Sequence, residues 1–261
     1  MSLPKNNFLD LSLPGEKQKI GALHPLTLTI NRLAQFFTSM GFETVEGLEL
    51  DNDYYNFSSL NFLPHHPSRD LQESFFVKNP LGKEDLVLRT HTSNVQVRVM
   101  EKRMPPLRIF TFGRCYRREA TDASHEHTFY QVEGFTVDKE VSLSNLIFTM
   151  KSLLSEFFEK EVELRLRPAF FPFTEPSYEV AFTCVSCDGK GCSVCGNTGW
   201  LEIFGCGMIH PNVLKAAGYP ERRFTGFAFG GGVDRLAMLK YKINDIRWFH
   251  SGDLRFIRQF N

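Results

Sequence analysis

With 261 residues, 42% of them hydrophobic, the chain has enough apolar material for one large core or two modest ones. Lys+Arg and Asp+Glu both total 30, and the resulting formal charge of +0 argues against a protein that lives on non-specific phosphate contacts; any nucleic-acid contact is local or supplied by a partner. Six Cys in a chain this long make no secreted disulfide framework, and the opening MSLPKNN carries no apolar signal core, so a reducing, cytoplasmic setting is expected.

In chain order, the first element follows LPGEKQKIGALHP. Leu26, Ile30, Leu33, Phe37 and Met40 fall on one helical face, with Pro25 near the start and Gly41 at the stop. Most of what comes next reads as strand. DLVLRTHTS (85–93) alternates, and LRIFTFGRCYRRE and HTFYQVEGFTV form a long antiparallel pair joined by a polar loop. LSNLIFTMKSLLSEFFEK is an amphipathic helix, VELRLRP and RFTGFAFG are further strands, and GGGVDRLAMLKY turns from glycines into a helix. No apolar run approaches the ~20 residues of a membrane span. No repeat or linker divides the chain, so residues 1–261 read as one domain with an insertion at 184–195. Long strands with few helices between them predict an α+β fold, an antiparallel β-sheet flanked by helices.

Period-2 alternation puts Arg117 and Glu119 on one face of the first long strand, and Phe129, Gln131 and Glu133 on one face of the second. The loop between them adds Asp122, His125 and His127. Two readings stand: a solvated hairpin laced with salt bridges, or a site for an anionic, planar ligand. In the second, guanidinium meets phosphate, a ring meets a base, and amide and carboxylate meet an ammonium group. GFAFGGGVDRLAML (226–239) lets backbone approach a ligand closely and ends on a helix N-terminus that favours anions, yet it is neither a Walker loop nor a Rossmann fingerprint.

HPLTLTINRLAQFFTSMGFETVEG, the long strand pair and GFAFGGGVDRLAML resemble, in order, the three motifs of class II aminoacyl-tRNA synthetases. RTHTS (89–93), GRCYRREATDASHEHTFYQVEGF and FFPFTEPS (170–177) sharpen the resemblance to the catalytic domain of phenylalanyl-tRNA synthetase α chains, from about Phe8 onward. The resemblance implies ATP with Mg²⁺, phenylalanine and tRNA(Phe) as ligands, a β chain in a heterotetramer, and self-association through the motif-1 helix. It also implies roles. Arg117 would hold the α-phosphate and the substrate carboxylate, Glu119 would contact the adenine side, and Phe129 would stack on adenine. Arg235 would cover that ring and reach the γ-phosphate, and His125 would lie close to the phosphates. His91, Ser93, Gln131 and Glu133 would hold the amino acid's ammonium and carboxylate groups. Phe171 and Phe173, projecting to one side of an extended segment, would meet the substrate ring, with Ala228 at the pocket floor. The chain departs from the family pattern at Leu48, where motif 1 carries proline, and at Gly231 and Asp234 before the motif-3 arginine. It also starts after the helical arm with which α chains grip tRNA, so a catalytic domain lacking that arm is expected.

FTCVSCDGKGCSVCGNTGW (182–200) spaces Cys184, Cys187, Cys192 and Cys195 as two C-x-x-C pairs, with glycines that permit tight turns. Zn²⁺ bound by all four is expected; free thiols or two disulfides are the alternatives. A closed four-thiolate site has no open position for chemistry, so the knuckle reads as a staple. Two rival functions remain: a catalytically silent relative acting as a binding or regulatory module, and a zinc-ribbon nucleic-acid-binding protein. The neutral charge and the lack of basic flanks oppose the latter.

Overall fold

The computed structural model describes residues 21–65, 74–80, 82, 84–118, 121–123 and 125–260. Helix α1 (Pro25–Ser39) opens on His24, whose Nδ1 accepts the Leu26 N–H, with Pro25 in the first turn. Strands β1 (Glu43–Thr44) and β2 (Leu50–Asp51) lead to the short helix α2 (Asp53–Asn56). Then come β3 (Phe76–Val77), β4 (Leu86–Leu88) and helix α3 (Asn94–Met100). The long pair is β5 (Leu107–Tyr116) and β6 (Thr128–Asp138), followed by helix α4 (Leu143–Phe158). Strands β7 (Leu164–Phe171), β8 (Thr174–Thr183) and β9 (Trp200–Ile209) form a meander. Helix α5 (Pro211–Ala216), β10 (Thr225–Gly232), α6 (Val233–Tyr241) and α7 (Leu254–Ile257) complete the described chain.

Seven strands make one sheet in the order β1-β5-β6-β10-β9-β8-β7, and β2-β4-β3 make a second, small one. The large sheet is antiparallel throughout except at its β1 edge, which runs parallel to β5. Side-chain alternation divides the core between the sheet's two faces. Phe110, Val132, Phe227 and Phe229 join the apolar faces of α1, α4 and α6 in one cluster. Ile109, Phe135, Val137 and Ala228 join α3, α5 and the segment Phe57–Phe62 in the other. The covering elements on this second face are short, and they leave part of the sheet open.

Two local expectations change. The alternating stretch 85–93 is strand only over Leu86–Leu88; Ser93 then caps helix α3, which starts at Asn94, and the polar residues of RTHTS are buried. Gly230, Gly231 and Gly232 do not form a turn: β10 runs through them and α6 begins at Val233.

Candidate active site

A cavity of about 600 Å³ opens on the sheet face covered by the short elements. Its floor follows from register. On β6, Phe129, Gln131 and Glu133 point the same way; opposite them on β10, Gly232 pairs with Gln131 and Gly230 with Glu133. One strand further, Gly205 pairs with Gly230 and Gly207 with Ala228. The central floor is therefore bare backbone apart from the Ala228 methyl. The space is in use: a Cβ at Gly205 would lie 2.8 Å from Phe171 Cζ, and one at Gly230 3.0 Å from Gln131 Nε2.

At the polar end, Glu133 is buried and accepts three hydrogen bonds: from Thr92 Oγ1 at 3.0 Å, Ser93 Oγ at 2.7 Å and Gln96 Nε2 at 2.7 Å. Burial raises the pKa of its carboxyl, and the three donors work against that rise. His91 is buried beside the Asn56 backbone. Burial first, then the Arg117 charge, pushes its pKa down to about 3 against the opposing effect of a backbone hydrogen bond at Asn56, so the imidazole is neutral. Cys115 Sγ donates to Gln131 Oε1 at 3.5 Å and sits at the back of this end.

The opposite wall is aromatic. Phe171 and Phe173 stack with centroids 6.0 Å apart and 22° between planes. They do not share an extended segment as expected. Phe171 ends β7, Phe173 sits in the tight connection before β8, and reversal of the chain at Pro172 brings both rings to one side. Phe62 lies 6.0 Å from Phe173 and stacks parallel to the His91 ring at 6.1 Å, closing the wall.

Arg117 extends β5 by one residue, its backbone N–H donating to His127 O, and its guanidinium lies 4.8 Å from the Phe129 ring centroid. Arg235, in the first turn of α6, also lines the cavity. The buried Asp234 beside it accepts the Tyr130 N–H at 2.6 Å and so ties α6 to β6 next to Phe129. Glu119 lies outside the described residues. His125 does not join the cavity lining. Its imidazole is exposed and held against Asp122, with Nδ1 3.0 Å from Oδ2, by a loop that curls back on itself through the Asp122 N–H to His125 O bond.

The four knuckle cysteines occupy the connection between β8 and β9, and their sulfurs all lie within 4.8 Å of one another. No cysteine is in a disulfide. The closest sulfur pairs are 3.7 and 3.9 Å apart, the spacing of about 3.8 Å that tetrahedral Zn–S bonds of about 2.3 Å require. The backbone N–H groups of Gly191, Cys192 and Gly199 point at Cys187 and Cys195 sulfurs from 3.2–3.3 Å, as they do toward thiolates. The set is fit to hold a metal. Among the described residues it is the one such group of His, Cys, Asp or Glu side chains.

Sequence reasoning missed Thr92, Gln96, Phe62 and Gly205. Thr92 lay inside a quoted motif, and Gln96 follows one helical turn after it; Phe62 and Gly205 carry no local signal.

The chain matches the family model for the class II core domain (F) of tRNA synthetases over residues 8–260. It is 52% identical to the phenylalanine–tRNA ligase alpha subunit of Methylococcus capsulatus, covering 97% of this chain and 72% of that one. It is 50% identical to that of Bacillus licheniformis, covering 98% and 74%. With that of Pseudomonas fluorescens SBW25 the identity is 51%, over 97% and 73%. A bare-floored cavity between two arginines and a carboxylate-held polar end, on an antiparallel sheet matched across its length by that model, shows that this chain belongs to the class II tRNA synthetase core-domain family.

Proposed function

We propose that the chain activates L-phenylalanine with ATP, forming phenylalanyl-adenylate, and passes it to tRNA(Phe) as the catalytic part of an alpha subunit working with a beta subunit in the cytoplasm. The observation that carries this reading is the pairing of a stacked phenylalanine wall with a buried, hydrogen-bonded carboxylate across one cavity. A benzyl side chain offers nothing to hydrogen-bond, so it is selected by shape and ring contact, and Phe171, Phe173 and Phe62 with the Ala228 floor supply both. Glu133, steadied by Thr92, Ser93 and Gln96, holds the ammonium group; Gln131 and the neutral His91 take its neighbours. The carboxylate then faces Arg117, which aligns it with the α-phosphate of ATP. In the step itself a carboxylate oxygen forms a bond to the α-phosphorus, and the bond to pyrophosphate breaks. Arg117 and Arg235 neutralise charge on the phosphates, Phe129 offers the adenine a face, and Mg²⁺ arrives with ATP. No covalent bond to the protein is required.

The knuckle cysteines hold Zn²⁺ as a staple across the β8–β9 connection, away from this chemistry. A direct test is calorimetry with a non-hydrolysable phenylalanyl-adenylate analogue on the assembled enzyme. Tight binding is expected, at least a hundredfold tighter than for the isoleucyl analogue, because a flat slot leaves a branched aliphatic chain badly packed. Equal affinity for the two analogues contradicts the reading.

A further inference from the structure

The tip of the β7–β8 hairpin carries two rings of the aromatic wall, and three sets of contacts hold it. Ser177 Oγ accepts the Phe171 N–H at 3.2 Å and donates to Thr174 O at 2.7 Å, all within the hairpin. The His210 N–H, just after β9, donates to Phe173 O at 2.9 Å. The third contact comes from outside the sheet: Asn61 Nδ2 donates to Pro172 O at 2.7 Å, across 111 residues of sequence.

Asn61 is built for this position on both sides. Its φ of 65° lies in the left-handed region, which asparagine tolerates better than most residues, and it closes the single turn Ser58–Leu60 by donating to Ser58 O. Pro172 O accepts only, so the Asn61 amide must present its NH₂ there. Its Oδ1 then faces Asn212 Nδ2, 2.9 Å away at the start of α5, which fixes the amide's orientation. The same left-handed step carries the chain into Phe62, whose buried ring packs on Phe173 and His91. One side chain therefore holds the backbone behind Phe171 and Phe173, while its own backbone conformation aims the third ring.

We propose that Asn61 is a positioning residue for amino-acid selection, setting the width of the slot between the Phe171/Phe173 hairpin tip and Phe62. The inference rests on the cavity being the phenylalanine site. Asn61 touches no reacting atom, so its effect falls on how tightly the amino acid is held and on which ring fits.

Asn61→Asp keeps the shape and the tolerance for left-handed backbone, yet turns the donor facing Pro172 O into a repelling oxygen. In the assembled enzyme, phenylalanine-dependent pyrophosphate exchange should show KM for phenylalanine raised about tenfold, with KM for ATP unchanged. The preference for phenylalanine over para-chlorophenylalanine should shift at least threefold. Asn212→Ala, exposed and outside the cavity lining, should move both readings the same way by less, and it serves if the Asp variant folds poorly. A lower melting temperature with unchanged KM and unchanged preference in both variants reduces Asn61 to a structural contact and overturns the inference. An equal rise in KM for ATP overturns it too. If wild-type enzyme shows no phenylalanine-dependent exchange, the proposed function falls and takes this inference with it; normal wild-type exchange with unaltered variants removes this inference alone.

Discussion

Gly205→Ala is the substitution for which the site's geometry makes the sharpest demand. The new Cβ would stand 2.8 Å from Phe171 Cζ and 3.0 Å from Cε2. Carbon atoms rest at about 3.5–4.0 Å, so the ring tip must retreat by roughly 1 Å. The Phe171 backbone is tied to Ser177 and its ring is stacked on Phe173, so the tip turns into the slot that the substrate ring would use. Overpacking of this kind costs about 1–3 kcal/mol, which, falling on ligand binding, is about 5- to 150-fold in affinity. Phenylalanine-dependent pyrophosphate exchange should therefore show KM for phenylalanine raised at least about fivefold, with KM for ATP and kcat close to wild type. Gly207→Ala, two residues on, is the contrast. Its Cβ would meet Pro176 O at 2.4 Å and Thr174 Cβ at 2.7 Å, and backbone cannot swing aside as a ring tip can. There the cost falls on folding, and the melting temperature should drop by about 5 °C or more. If Gly205→Ala leaves KM for phenylalanine unchanged while melting early, as Gly207→Ala does, the Phe171 ring is not a wall of the amino-acid site.

Ala228→Gly removes the one methyl group on the central floor and should admit para-chlorophenylalanine with only a modest loss for phenylalanine, whereas Ala228→Val should block phenylalanine itself; competition assays read both. Arg117→Ala and Arg235→Ala should each lower adenylate formation on the order of a hundredfold or more with little change in melting temperature, since each removes a charge-assisted phosphate contact, as single-turnover kinetics will report. Protein purified reduced and without chelator should hold about one zinc per chain, lost together with thermal stability when Cys192→Ser and Cys195→Ser are combined, as metal analysis and calorimetry will show. Burial raises the Asp234 pKa from 3.8 to about 6, so between those values the folded chain binds the extra proton and this group's contribution to stability falls as pH rises, by up to about 3 kcal/mol. Asp234→Asn keeps an acceptor for the Tyr130 N–H and should flatten that part of the stability profile, raising the melting temperature at pH 8 relative to wild type.

Much of this site was written in local pattern. The β5–β6 pair is legible as two long strand-like segments about a polar loop, and the period of two residues in a strand puts Phe129, Gln131 and Glu133 on one face. The two C-x-x-C pairs place four sulfurs together because spacing and glycine turns suffice for that. What failed were features decided by neighbours distant in sequence. The glycines 230–232 look like a turn, yet β6 and β9 on either side hold them as strand. Phe171 and Phe173 look like alternate residues of one strand, but Asn61 and His210 pin a reversal between them. Alternation predicts strand through RTHTS, whereas Glu133, forty residues later, draws Thr92 and Ser93 inward. The expectation of His125 near the phosphates rests on resemblance alone; here its imidazole contacts Asp122 and is exposed.

The central claim is that this cavity joins phenylalanine to AMP. Assembled enzyme at high concentration, given ATP labelled at the α-phosphate and one amino acid at a time, should form labelled adenylate in a single turnover with phenylalanine. Tyrosine should give far less, its buried hydroxyl finding no partner on a wall of Phe62, Phe171 and Phe173, and Arg117→Ala should form adenylate on the order of a hundredfold more slowly or worse. Adenylate formed as readily with tyrosine or isoleucine, or formed undiminished by Arg117→Ala, would contradict the account.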